Sequence, residues 1–247
     1  MSNFHIGLTE DKSLRLRGKP LQEVVRQYAA EHNLKVVMHF PHSSLAVPAS
    51  FWEDVGIDRG YFDFINLQMS DLCLLDLFSS WDFEKVIAPY SRLYVDVEKY
   101  WDEAKEPMAK FGMGAVYSKD IFGNDLHKRT PLFMAEAKQY YDHHHGLLSK
   151  ACDCDKDVLI LDIHSFSYRM SRLVTGRHAV PDLCFGQNKD DSDCPDLVEL
   201  IKLWLKANCK CSCQTNYPYN GSILPNRRRA GQRIYSLMLE FNKRFYL

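Results

Sequence analysis

No apolar run in this chain approaches the roughly 20 residues that a helix needs to cross a bilayer. Neither sign of charge dominates: 31 Lys and Arg stand against 32 Asp and Glu, a formal net charge of −1. A chain so balanced has no global field to draw it to nucleic acid or to an anionic membrane. The opening stretch, Met1–Lys19, is polar and mixed in charge and lacks the apolar centre of a secretory signal. The expectation is a cytoplasmic protein that acts on a small molecule, with no nucleic-acid or membrane partner.

Zinc-type cysteine spacing is also missing. Of 8 cysteines, Cys152 and Cys154 are one residue apart, and Cys209, Cys211 and Cys213 alternate in the same way. Structural zinc sites use about two to four intervening residues. Alternate residues share one face of a strand, so this trio reads as small packing residues, and a chain of this length without a leader favours reduced thiols. No internal repeat, low-complexity tract or linker breaks the sequence. One domain over residues 1–247 is therefore expected, and 46% hydrophobic residues suffice for a sizeable core.

What the chain does contain is an alternation of helical and strand patterns. Leu21, Val24, Val25 and Tyr28 mark one face of a helix over Pro20–Asn33. A strand follows at Leu34–Phe40, stopped by Pro41. A helix is expected over Phe64–Phe78, and strands at Val86–Ala88 and Leu93–Val97. Tyr100–Arg129 is polar and carries Gly112, Gly114 and Gly123, which suggests a long insertion with short strands. Thr130-Pro131 is an N-cap followed by proline at the first helical position, opening a helix to about Lys150. Ser165–Pro181 reads as a loop and Asp182–Phe185 as a strand. A helix from Cys194-Pro195 to Lys206 and strands at Lys210–Asn216 and Ile234–Phe241 complete the pattern. The class is α/β, a three-layer α/β/α arrangement around a mixed central sheet.

The stretch Asp157–Arg169 organises the rest. Val158, Leu159, Ile160, Leu161 and Ile163 suit a strand buried on both faces, interrupted by Asp162 and ended by His164. The C-terminal ends of such strands are where α/β proteins place ligands. His42, after a strand and a proline, has the same context, so the two histidines could converge on a metal. A catalytic zinc takes three protein ligands and one open position. Asp71 lies on the apolar side of its expected helix, where a carboxylate must be paired or metal-bound. If the helix starts near Ser70, Asp71 is instead a cap or an ion-pair partner.

Glu240 lies within an apolar strand. Turned inward it would be a general base with a raised pKa; turned outward it is an edge residue. Arg92, between two strands, suits a bidentate grip on a carboxylate, stabilisation of an oxyanion, or a surface ion pair. His143, His144 and His145 point about 100° apart on a helix, so they cannot share one site. Arg227-Arg228-Arg229 reads as a solvated basic loop from which one arginine could meet an anionic substrate.

Several short segments, in order, resemble the N-formylglutamate amidohydrolase family, which is related to zinc carboxypeptidases and aspartoacylases. They are Pro41-His42-Ser43-Ser44, Ser70-Asp71, the S-R-x-x-x-D of Ser91 to Asp96, Tyr141–Leu148, Asp162-Ile163-His164-Ser165-Phe166, Asn216–Gly221 and Leu239-Glu240-Phe241-Asn242. The resemblance implies a phosphorylase/hydrolase-like fold and zinc-dependent hydrolysis of an N-formyl amino acid such as N-formylglutamate, with one ion. It implies His42, Asp71 and His164 as metal ligands, since Leu45 stands where carboxypeptidases carry the Glu of H-x-x-E. Glu240 becomes the base and Arg92 the oxyanion partner. Asp162 and Ser165 would orient the ligands. His145 falls at the family's histidine and is an expected substrate contact, and Arg228 is an expected grip on a substrate carboxylate. A related zinc amidohydrolase or peptidase acting on another N-acyl amino acid or a short peptide, or a non-catalytic small-molecule-binding homologue, is the competing expectation.

Overall fold

The structure, a computed structural model, describes residues 17–176 and 179–247. Residues 1–16 of the polar opening stretch lie outside the described residues. Six strands form one sheet: β1 (Leu34–Phe40), β2 (Glu84–Ile87), β3 (Asp157–Phe166), β4 (Leu183–Gly186), β5 (Cys213–Thr215) and β6 (Ile234–Asn242). Their order is β2-β1-β3-β6-β4-β5. β2, β1, β3 and β6 run parallel, and β4 joins β6 antiparallel. The sheet is mixed, with helices on both sides, as the three-layer α/β/α expectation requires.

Alternation along the strands decides what each helix covers. Met38, Leu159, Leu161, Ile163, Leu237 and Leu239 point to one face, where they pack with Val25 and Tyr28 of α1 (Leu21–Glu31) and Leu197 and Ile201 of α7 (Pro195–Asn208). Val37, Val158, Ile160 and Ile234 point to the other face and meet Leu148, Ala151 and Cys152 of α5 (Pro131–Cys152). Both faces of β3 are apolar, so its near-continuous run is explained by double burial. Each fully buried aliphatic side chain contributes roughly 1.5–3 kcal/mol, so β1, β3 and β6 form a stiff platform.

α5 starts as expected. Thr130 Oγ1 accepts from the Phe133 N–H at 3.3 Å, with Pro131 at the first position. The expected helix over 64–78 is instead two. α3 (Arg59–Met69) starts earlier, capped by Asp58, whose Oδ1 accepts from the Tyr61 N–H at 3.0 Å. It ends at Ser70, and Cys73 at φ +60° separates it from the single turn α4 (Leu74–Leu77). Asp71 therefore sits in a break rather than on a helix face.

The expected strand at 93–97 is also absent. Ser91 Oγ accepts from the Leu93 N–H at 3.0 Å, and the Tyr94 N–H bonds to the Ser91 carbonyl at 2.9 Å. This local hydroxyl bonding wins over extension. Leu93, Tyr94 and Val95 are buried all the same, with Phe51, Phe62 and Phe133, in a second apolar cluster over the polar insertion. β3 runs on to Phe166 and α6 (Tyr168–Thr175) follows, where a loop was expected. Of the alternating cysteines only Cys213 lies in a strand, but all three are half-buried, free, and packed against the α1/α7 side of the core. No described helix is long and apolar enough to cross a membrane.

Candidate active site

Strand register assembles the site. His39 on β1 is aligned with Asp162 on β3, and His164 on β3 is aligned with Glu240 on β6. Asp162 and His164 are two apart, so all four face the same side. They are the continuation of the face that α5 covers, past the end of its apolar cluster and towards the strands' C-terminal ends. His42 follows β1 directly. Its carbonyl accepts from the Asp71 N–H at 2.8 Å, which ties the α3–α4 break to the same end of the sheet.

Three donor atoms converge there. His42 Nδ1 lies 3.6 Å and His164 Nδ1 3.5 Å from Asp71 Oδ2. These separations are long for hydrogen bonds. Donors at about 2.0–2.1 Å around a tetrahedral zinc stand roughly 3.3 Å apart, which is close to what is found. All three residues are buried, and His42 Nδ1 and Asp71 Oδ2 have no hydrogen-bond partner. Orphaned buried donors and acceptors are costly, and one cation would satisfy them together. The residues present fit a divalent metal ion.

The surrounding bonds fix these ligands. His42 Nε2–H donates to Asp96 Oδ1 at 2.8 Å, so its Nδ1 lone pair faces Asp71. Asp162 Oδ1 lies 3.1 Å from His164 Nε2 and places negative charge beside the second histidine, but no hydrogen bond joins them and that nitrogen is orphaned too. Ser165 Oγ donates to Asp71 Oδ1 at 3.0 Å and leaves Oδ2 for the shared point. Asp96 is itself held: Arg92 Nε and Nη2 donate to its Oδ2 at 3.1 and 2.7 Å, and Tyr117 Oη donates to the same oxygen at 2.7 Å.

A cavity of about 360 Å³ opens over these groups, and His42, Arg92, Glu98, His164, Glu240 and Lys243 are among its lining residues. Burial opposes the charge of Asp96, but the Arg92 guanidinium and His42 hold its carboxyl well below the usual range. Asp71 is likewise held low, against burial, by His164 and His42. Burial works against His164 as well, yet Asp162 and then Asp71 raise it well above an ordinary histidine. The carboxylates thus favour positive charge at this point. Glu240 behaves oppositely. Burial, and then Asp71, push it up to about 8, against the pull of His164 and Arg92, and its Oε2 has no partner.

A sequence model of the family described as N-formylglutamate amidohydrolase matches residues 34–247. The chain belongs to that family. Its fold is similar to that in the crystal structure of N-formylglutamate amidohydrolase from Ralstonia eutropha JMP134. The TM-score is 0.71 at 20% identity, over 87% of this chain and 84% of that one. No curated protein sequence matches.

Within this family member, the structure brings together His42, Asp71, His164, Asp162, Ser165, Arg92 and Glu240. It sets two expected residues apart. His145 Nε2–H donates to the Val97 carbonyl at 3.0 Å, and His145 and Arg228 line a different cavity of about 730 Å³. Several residues escaped sequence reasoning. Asp96 could have been found as the carboxylate four residues after Arg92. His39 stands inside an apolar strand, the same anomaly that marked Asp162. Burial opposes its charge, but Asp162 and Glu98 raise it to about 9. Lys243 Nζ donates to the Ser70 carbonyl at 2.6 Å, bracing the segment that carries Asp71. No local pattern marks this contact, because its partners are 173 positions apart.

Proposed function

We propose that this protein hydrolyses the amide bond of an N-formyl amino acid of the N-formylglutamate type, releasing formate and the free amino acid. The observation that carries the reading is the convergence of His42 Nδ1, Asp71 Oδ2 and His164 Nδ1, two of these atoms orphaned, beside an inward glutamate. These three residues would hold one zinc ion, which when bound supplies Lewis-acid stabilisation of developing negative charge.

The remaining steps fall to the chain's own side chains. Glu240 takes the proton of the attacking water at its carboxylate and passes it to the leaving amine nitrogen. Its elevated pKa suits a group that must both accept and release a proton near neutrality. Arg92 lines the cavity with its fork anchored on Asp96, so its charge is preorganised to face a substrate carboxylate or the oxyanion. Asp96 orients His42, Ser165 orients Asp71, Asp162 sets negative charge beside His164, and none of the three takes part in bond making.

The test is a hydrolysis panel of N-formyl and N-acetyl amino acids with elemental analysis of the same preparation. The expected result is formate release from N-formyl-L-glutamate, abolished by a chelator and restored by Zn2+. Absence of turnover on every N-formyl amino acid by zinc-loaded protein, or turnover indifferent to chelation, would overturn the reading.

A further inference from the structure

Behind His164 lies a second set of donors, and two of its members, His39 and Glu98, have no part in the proposed chemistry. His39 Nδ1 is 2.8 Å from Asp162 Oδ1 and 3.2 Å from Glu98 Oε1. These three atoms lie within 4.8 Å of one another, and His39 and Asp162 have no exposed surface. Two carboxylate oxygens on one imidazole nitrogen require positive charge between them. A proton on His39 is the smallest such charge, but it bonds well along one direction only. It serves Asp162 and leaves Glu98 Oε1 buried and without a hydrogen-bond partner. A divalent cation at the centre of the three satisfies all of them together.

Two further features support a cation. The other nitrogen of His39, Nε2, is 2.8 Å from Nε2 of His144. With a hydrogen on His39 Nε2 donated to His144, Nδ1 can exchange the proton it shares with Asp162 for a cation, the arrangement that outer partners impose on metal-bound histidines. Glu98 is 17% exposed at its side chain and lines the catalytic cavity, so the site has an entry and room for water as a further ligand.

We infer that His39, Glu98 and Asp162 form a second divalent-cation site, next to the one at His42, Asp71 and His164 and joined to it through Asp162, whose Oδ1 also faces His164 Nε2. One imidazole and two carboxylates suit first-row ions such as Zn2+ or Mn2+. The inference rests on its own donor set and adds a second ion to the one assigned above.

Zinc-loaded protein, dialysed against metal-free buffer and analysed for metal content, is expected to hold two Zn2+ per chain. Glu98→Gln and Asp71→Asn should each retain one. An anomalous difference map at the zinc edge from crystals of the unmodified protein provides a measurement that does not depend on either variant folding. It should place one peak among His39, Glu98 and Asp162 and another among His42, Asp71 and His164. A single ion at His42, with the metal content of Glu98→Gln unchanged, overturns the second site and leaves the proposed hydrolase standing. No ion at either place overturns both.

Discussion

Asp54 and Asp71 are both buried and both face a histidine, and they have opposite fates. Asp54, at the end of α2 (Phe51–Asp54), accepts from the Thr130 N–H at 2.9 Å and the Arg129 N–H at 3.0 Å, one on each oxygen. His127 lies 3.3 Å away and donates to the Leu93 carbonyl at 2.7 Å through its other nitrogen. Asp71 is as deeply buried, but one of its oxygens has no partner, and two histidines rather than one face that oxygen. The first cluster is a knot that joins two segments to the start of α5. The second is incomplete as protein alone. Burial and an Asp–His pair do not distinguish these two clusters; the state of the second oxygen does.

The largest test of that contrast is His164→Ala. It removes a ligand from the unsaturated cluster and should lower kcat/KM by about 10³-fold or more, since Lewis-acid stabilisation is worth several kcal/mol. Metal content should fall with it. A His164→Ala protein that retains zinc and turnover breaks the comparison at its centre. Glu240→Gln should come next, with kcat down by roughly 10²–10⁴-fold and zinc unchanged. An unaltered kcat removes Glu240 from proton transfer. Asp96→Asn acts one bond further out, through His42. Zinc affinity should weaken by about 10–100-fold, as is usual when a carboxylate behind a metal-bound histidine is lost, and competition with a chromophoric chelator reads it directly.

Sequence reasoning reached the residues whose signal is local. His164 and Asp162 stand out because a doubly buried strand has no other use for polar side chains, and His42 because it follows a strand and a proline. Asp71 was singled out on a helical face that does not exist. Its burial is set by a break at Ser70, where side-chain and backbone bonding compete with helix propagation. Asp96 shows no role in its own segment, because only folding brings it to His42, 54 positions away. Arg228 and His145 show the converse. Both were expected at the substrate, but the helix face and loop that carry them open onto another cavity. The layers of the fold were legible from periodicity alone. The turns at 91–97 were not, since a hydroxyl bond decides them and an apolar pattern conceals it.

The smallest effect on activity belongs to the cluster whose carboxylate is bonded at both oxygens. Asp54→Asn presents an amide N–H₂ where Oδ2 now accepts from Arg129 or where Oδ1 accepts from Thr130, so one backbone donor loses its acceptor. The expected cost is about 1–3 kcal/mol, a fall in Tm of roughly 2–4 °C for each kcal/mol in a chain of this size. At temperatures where both proteins are folded, kcat/KM should agree within about threefold. The difference also has a sign with pH. Burial works against the Asp54 charge, but its bonds from Thr130 and Arg129 hold its pKa below the ordinary value. A carboxyl depressed on folding stabilises fully above its unfolded pKa of about 3.9 and progressively less as pH falls towards the folded value. The gap in stability between wild type and Asp54→Asn should therefore be constant near neutrality and close on acidification below about pH 4. Denaturant melts at a series of pH values measure it. A gap that persists in acid, or a large loss of kcat/KM in folded Asp54→Asn, would place Asp54 on the functional side of the comparison.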